Sequence, residues 1–383
     1  MVESWDARAR EAYATMQVRF AVGDGALYRE RAPARLWDRR YAHVWPFSQA
    51  LAATLDVAAL PGGDGAALAQ ARTLGRSLFE HYWDSQSSPP GAASYPLSGG
   101  GGDKFYDDNC WLGLDLVELH RATGDRGALD DAARVFAFVV SGWDDDPAHP
   151  SPGGIFWKQA RNTATRDRNT VSNAPAAQLA LHLHALTGQR DYLDWAERAF
   201  DWVERTLRDP ADGLYWDNIR LNGAIEKTKW SYNQGTMLGA AALFYRHTGN
   251  RAWVERARQI ADAALRFYGE DDRLWAQDPP FNAIFFRNLR LLATALDDAA
   301  MFTPALRVYA ERAWAEGRDP ATGLVGFGRR GRVDLLSQAA AVQIFALLAG
   351  ADPIAAPAPA AHRANESGER GGKTARVTGT GGR

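Results

Sequence analysis

Apolar residues recur every three to four positions through most of this chain, the period of an amphipathic helix. The pattern predicts helices over about residues 4–22, 46–58, 64–83, 106–122, 127–142, 172–187, 190–207, 232–247, 251–268, 281–297, 303–316 and 333–349. Few runs alternate as strands do. The fragments "GGIFW" (153–157) and "DGLYWD" (212–217) fall in the connections.

One junction repeats. "LHRATGDRGALDDAARVFAFVV" from Leu119, "LHALTGQRDYLDWAERAFDWV" from Leu183 and "YRHTGNRAWVERARQIADAAL" from Tyr245 each read as a helix end, a Thr-Gly-polar turn and a new helix. Gly124, Gly188 and Gly249 suit the left-handed residue that closes a helix. The period of roughly 60 residues leaves room for two helices and a long loop. Long connections at 84–103, 143–171 and 208–230 alternate with the short Thr-Gly turns. If successive helices alternate direction, the long loops share one end, and function concentrates there. About twelve helices make six pairs, the number in an all-α (α/α)6 barrel. An open solenoid uses similar pairs. The barrel is favoured because closure buries the terminal faces without capping repeats. Residues 1–352 are expected to form this catalytic barrel domain. The Pro/Ala-rich, then Gly/Ser/Arg-rich stretch 353–383 lacks large apolar residues and is expected to be a disordered tail.

Composition narrows the function classes. With 44 basic and 46 acidic residues in 383, the net charge of −2 points to neither nucleic acid nor an anionic membrane. No stretch approaches the roughly 18 apolar residues of a membrane span. The single Cys110 excludes an intramolecular disulfide and a cysteine zinc cluster. The histidines form no H-E-x-x-H pattern, and "SGGGGD" (98–103) follows no strand, so no metal or phosphate-cradling cofactor is expected. The N-terminal "MVESWDARAREAY" has no apolar signal-peptide core, which gives a cytoplasmic expectation unless a leader is missing. A monomer is expected. The 14 Trp, 12 Tyr and 16 Phe suggest a large core or a surface that stacks on flat ligands.

The candidate chemistry lies in "YDDNCW" (106–111), at a predicted helix start. Asp108 aligns with the Leu112/Leu116/Leu119 stripe and Asp107 with Trp111, about 100° apart if the first turn is helical. An acid there can simply cap the helix. The glycine-rich loop before the pair and the flanking Phe105, Tyr106 and Trp111 weaken that reading and leave room for a sharper one, glycoside hydrolysis. One carboxyl protonates the leaving oxygen, a second attacks or activates water, and mutual repulsion separates their pKa values. Trp157, Trp216 and Trp230 are candidate sugar platforms. Trp45 could also line the cleft. Asn109, Asn173, Tyr232, Asn233 and Gln234 open helices after long loops and are candidate hydroxyl ligands. Arg287, on an apolar helix, is expected to find an acidic or carbonyl partner, and Asp115 a buried basic one.

"YDDNCWLGLDLVELHRATGD" resembles the acid-pair segment of glycoside hydrolase family 76. "GGIFWK" (153–158), "RNTVSNAPAAQLALHLHALTG" (168–188), "GLYWDNI" (213–219), "KWSYNQGTMLGAAALFYRHTG" (229–249) and "FNAIFFRNLRLL" (281–292) match its further segments in order, over roughly residues 1–350. The resemblance implies an (α/α)6 barrel and an α-1,6-mannanase acting on α-mannan or its oligosaccharides. It also implies a retaining mechanism, with Asp107 the nucleophile and Asp108 the general acid/base. The alternatives are another carbohydrate-active (α/α)6 enzyme, such as an unsaturated glucuronyl hydrolase or a sugar epimerase, and a non-catalytic sugar-binding protein on this fold.

Overall fold

The computed structural model describes residues 4–159, 166–328 and 331–350. In chain order its helices are α1 (Trp5–Phe20), α2 (Val44–Ala58), α3 (Gly65–His81), α4 (Tyr106–Thr123), α5 (Arg126–Val140), α6 (Thr170–Thr187) and α7 (Arg190–Thr206). There follow α8 (Ser231–Thr248), α9 (Arg251–Gly269), the single turn α10 (Arg273–Ala276), α11 (Pro279–Leu296), α12 (Thr303–Glu316) and α13 (Leu335–Leu348). All twelve expected helices are present, and α10 is an addition. The expected tail lies outside the described residues.

The ring closes. Helix α2 packs on α4, α4 on α6, α6 on α8, α8 on α11, α11 on α13, and α13 returns to α2. These six inner helices are apolar on nearly every side, as helices with neighbours all round must be. In α13 every residue from Ser337 to Leu347 is buried. The outer helices bury one stripe each: α7 hides Leu193, Ala196, Ala199, Phe200, Trp202 and Val203 against α6 and keeps its acids and arginines outside. Closure, which the pattern of pairs left open against a solenoid, rests on the α13–α2 contact between the two ends of the chain. This is the (α/α)6 barrel.

The Thr-Gly turns form as expected. Gly124, Gly188 and Gly249 take φ of 71°, 73° and 67°. The hydroxyls of Thr123, Thr187 and Thr248 donate to carbonyls one turn back, at 2.6–2.7 Å, and accept the N–H two residues on. Asp125 and Asn250 then cap the next helix, whereas Gln189 makes no such bond. Each short turn runs from an inner helix to an outer one. Every long loop therefore leads into the N-terminus of an inner helix, and all six of these N-termini share one end of the barrel.

Short strands brace that end. β1 (Ala21–Val22) pairs with β2 (Leu27–Tyr28), and β3 (Arg31–Ala32) pairs with β9 (Val333–Asp334), tying the chain's ends together. β4 (Trp83–Asp84) pairs with β5 (Gly91–Ala92). β6 (Asp167–Asn169), β7 (Asn218–Arg220) and β8 (Ile225–Glu226) form one antiparallel sheet, so the loops before α6 and α8 are a single wall. Arg168, fully buried, pins the loop before α6. It pairs with Asp144 at 2.8 Å and donates to the carbonyls of Pro150, Ser151 and Gly153.

Candidate active site

A cleft of about 790 Å³ opens at the loop end, on the barrel axis. Each inner helix brings side chains from its first two turns: Trp45 and Pro46 from α2, Asp107, Asp108 and Trp111 from α4, Val171 from α6, Tyr232 from α8, Phe281 from α11 and Leu336 from α13. The loops add His43, Asp103, Phe105, Trp157, Asp167, Asn169, Asp217 and Asn218.

Asp107 and Asp108 occupy the first turn of α4, after an N-cap, Phe105, that makes no side-chain bond. That turn is helical, yet both carboxyls face the cleft, because the opening surrounds the helix end rather than one side of it. Capping keeps a share of the explanation: backbone N–H groups at the helix start stabilise the Asp107 carboxylate. The indole Nε1 of Trp157 donates to Asp107 Oδ2 at 3.1 Å, while Asp107 Oδ1 is buried without a partner. Burial pushes Asp107 up to about 7, against the pull of those donors and with a push from Asp217. Burial, then the Asp107 charge, drives Asp108 well above the ordinary carboxylate range. Both acids are thus held above the ordinary carboxylate range, and the pair titrates as a unit. Asp217 and Asp167 are also raised, chiefly by burial. None of these four acids is ion-paired to a cation among the described residues.

Aromatic faces form the walls. Trp157 is 39% exposed beside Phe105, their rings 5.0 Å apart. Phe281 stacks on Tyr232 at 4.0 Å and lies 6.0 Å from Trp45. Trp45 Nε1 and Asn218 Oδ1 are further buried polar atoms without partners, a donor and an acceptor suited to sugar hydroxyls. Below the acids, Trp111, Val171 and Ile284 form a small apolar plug across the axis.

Several expected ligands lie under the cleft instead of in it. Asn109 is fully buried; it accepts from Ala92 N–H at 3.0 Å and donates to the carbonyls of Ala92 and Phe105. Asn173 holds both backbone groups of Ile155, and Gln234 both of Tyr215. Gln338 on α13 accepts from Val325 N–H in the same way. These amides fasten each incoming loop to its inner helix. Their donors and acceptors are used, and they have no surface in the cleft. Asn233 is buried and donates to Asp217 at 3.4 Å, so it bears on the site through that acid. Trp216 bonds Asp209 and lies under Lys227, outside the cleft. Trp230 packs edge-on against Phe281 and, like Asn233, bears on the site through Asp217, whose carboxylate its indole stabilises. Asp107, Asp108, Trp157 and Tyr232 are brought together as expected. Sequence reasoning missed Asp167, Asn169, Asp217, Asn218 and Phe281. The acid and amide of "DRN" (167–169) carried a signal, since they end a long loop directly before α6, whereas "DN" (217–218) lies mid-loop, well before α8.

Among the described residues no three His, Cys, Asp or Glu side chains are grouped as metal ligands. No helix of the described residues is long and apolar enough to cross a membrane.

A six-hairpin barrel with a paired-carboxylate cleft on its axis is a carbohydrate-processing architecture. Residues 4–355 match the profile of Glycosyl hydrolase family 76, and the chain belongs to that family. A putative mannan endo-1,6-alpha-mannosidase of Schizosaccharomyces pombe is 30% identical over 205 residues, 51% of this chain and 44% of that protein. The chain spans less than half the length of the curated relatives it matches. The family 76 mannosidase Bt3792 of Bacteroides thetaiotaomicron superposes with a TM-score of 0.80 at 24% identity, over 90% of this chain and 98% of that one. An inactive variant of the α-1,6-mannanase GH76A of Salegentibacter sp. HEL1_6, with two consecutive aspartates changed to asparagine and α-1,6-mannotriose bound, superposes with a TM-score of 0.74. It is 22% identical over 91% of this chain and 100% of that one.

Proposed function

We propose that this protein hydrolyses α-1,6-mannosidic linkages with retention of configuration, using Asp107 and Asp108. The observation that carries the reading is the pair itself: two adjacent acids with no cation beside them, in an open cleft walled by aromatic faces. Asp107, the acid held by the Trp157 indole, attacks the anomeric carbon. The bond to the leaving oxygen breaks, and that oxygen takes the proton of Asp108. In the second step water attacks the same carbon, gives its proton to Asp108 and releases the Asp107 carboxylate. The relatives named for mannan endo-1,6-alpha-mannosidase and the mannotriose-bound α-1,6-mannanase support the choice of sugar and linkage. An epimerase would call for a pair of histidines in the cleft, and His43 alone among the described histidines lines it.

Turnover of defined α-1,6-mannooligosaccharides, followed by proton NMR of the first product anomer, tests this. The α-anomer is expected first; the β-anomer overturns retention, and no turnover overturns the linkage. An aryl α-mannoside with a good leaving group separates the roles. Asp108→Asn should still form the glycosyl-enzyme on it, and Asp107→Asn should not.

A further inference from the structure

A second cavity of about 420 Å³ adjoins the cleft, and Glu30 and His43 line both. Its wall comes from the connection between α1 and α2, where the sequence reads "YRERAPARLWDRRYAH" (28–43). Five guanidinium groups line it: Arg29, Arg31, Arg35, Arg39 and Arg40. None forms an ion pair among the described residues, and Arg29 Nε is buried without a partner. The two acids on the wall are already engaged, Glu30 with His43 and Asp38 with Arg332. Arg39 and Arg40 lie over the rings of Tyr95 and Tyr41, 5.0 and 5.2 Å from their centroids, which positions the cations and leaves their edge N–H groups available.

Like charges gather at a cost unless something opposite visits them. Here the contrast with the adjoining cleft is sharp: five unpaired cations stand beside Asp103, Asp107, Asp108, Asp167 and Asp217. An anionic group placed among those acids would find no unpaired cation to hold it. A glycan whose anionic group reaches the arginines would be held and oriented. Guanidinium forks match phosphate oxygens in bidentate fashion, and the cavity is large enough for a phosphorylated sugar.

We propose that this arginine pocket is an anion subsite, and that the preferred substrate is a mannoside bearing a phosphate group one or a few sugars from the bond that is cut. The proposal rests on the mannoside reading of the cleft. Calorimetry on the hydrolysis-dead Asp107→Asn/Asp108→Asn protein tests it. The probes are neutral α-1,6-mannotetraose and two phosphorylated forms of it, one with a 6-phosphate on the non-reducing terminal residue and one with a 1-phosphate on the reducing terminal residue. At least one isomer should bind about tenfold or more tightly than the neutral sugar, the range of a charged hydrogen-bond pair. That ratio should fall toward one when Arg35→Gln and Arg39→Gln are added, and should shrink between 0.05 and 0.5 M salt. A ratio of one for both isomers, or a ratio that survives the arginine changes, overturns the subsite. Inorganic phosphate alone separates the two readings. Phosphate binding that Arg35→Gln/Arg39→Gln abolishes, without neutral mannoside binding, keeps the subsite and sinks the mannoside reading. Neutral binding with no phosphate preference does the reverse.

Discussion

Two groups of acids sit on the barrel axis, and they are built to opposite rules. The cleft pair Asp107 and Asp108 lines an open cleft, has no cation and keeps a buried, unpartnered oxygen. Asp115 and Glu118 lie seven to ten residues further along the same helix, about 10–15 Å deeper, past the plug of Trp111, Val171 and Ile284. There Arg287 of α11 reaches Asp56 at 2.6 Å and Glu118 at 3.2 Å, around a void of only about 40 Å³. Burial alone does not mark a reactive acid, since both groups are buried. What differs is compensation. The deep acids are gathered around one cation; the cleft acids have none, and burial raises both, with the Asp107 charge adding to the rise of Asp108. The deep cluster has more acids than cations, so burial and its acidic neighbours keep Asp115 well above the ordinary range and protonated. The expectation of a buried basic partner for Asp115 is met only at a distance: Arg287 bonds Asp56 and Glu118, and Asp115 Oδ2 has no partner.

The contrast can be broken by exchange. Asp107→Asn should lower kcat on α-1,6-mannooligosaccharides by at least about 10²–10⁴-fold, whereas Asp115→Asn, across the plug, should leave it within a few-fold. Equal losses would remove the distinction. Arg287→Met should destabilise the fold by about 3–5 kcal/mol, read from urea unfolding, because it strands buried acids. No loss would mean that the cation does not hold the deep cluster together.

Trp157→Phe keeps the ring and removes the one side-chain donor to Asp107. It should cost about tenfold in kcat/KM and move the acid limb of the pH profile, expected near 7, to higher pH. An unmoved limb would mean that another group controls it. The smallest effect concerns stability against pH. Asp107 has a folded pKa of about 7, above its ordinary 3.8. Its contribution to stability is therefore full below about 3.8 and is lost as pH rises through 7. Asp107→Asn should accordingly be more stable than the parent at pH 8 by about 1 kcal/mol, with the gap closing toward pH 4. Asp56→Asn, which costs Arg287 its partner, should be less stable at pH 8.

The helical period made the twelve long helices legible. The repeated Thr-Gly junction made their pairing legible, because both are local: a stripe of apolar residues and a left-handed glycine need no distant partner to be recognised. The acid pair was legible because two adjacent charges at a helix start are chemically conspicuous. Asn109, Asn173 and Gln234 misled for a related reason. An amide looks the same in sequence whether it bonds a sugar hydroxyl or a loop peptide. Only the approach of Ala92, Ile155 and Tyr215 from other loops decided it. Asp217 and Phe281 were passed over because nothing local distinguishes them. They become part of the site when α8 and α11 set them across from α4.

By itself, then, the sequence determined the number and order of the helices, their short and long connections, and the presence of two adjacent acids at a helix start. Tertiary structure alone decided that the ring closes at α13 and α2, that six helix N-termini share one cleft, and that Arg287 is placed with the deep acids rather than the cleft pair. The physical reason is range. Helix formation and turn chemistry are settled within a few residues, whereas the charge balance of a buried site depends on side chains hundreds of residues apart that meet only when the barrel closes.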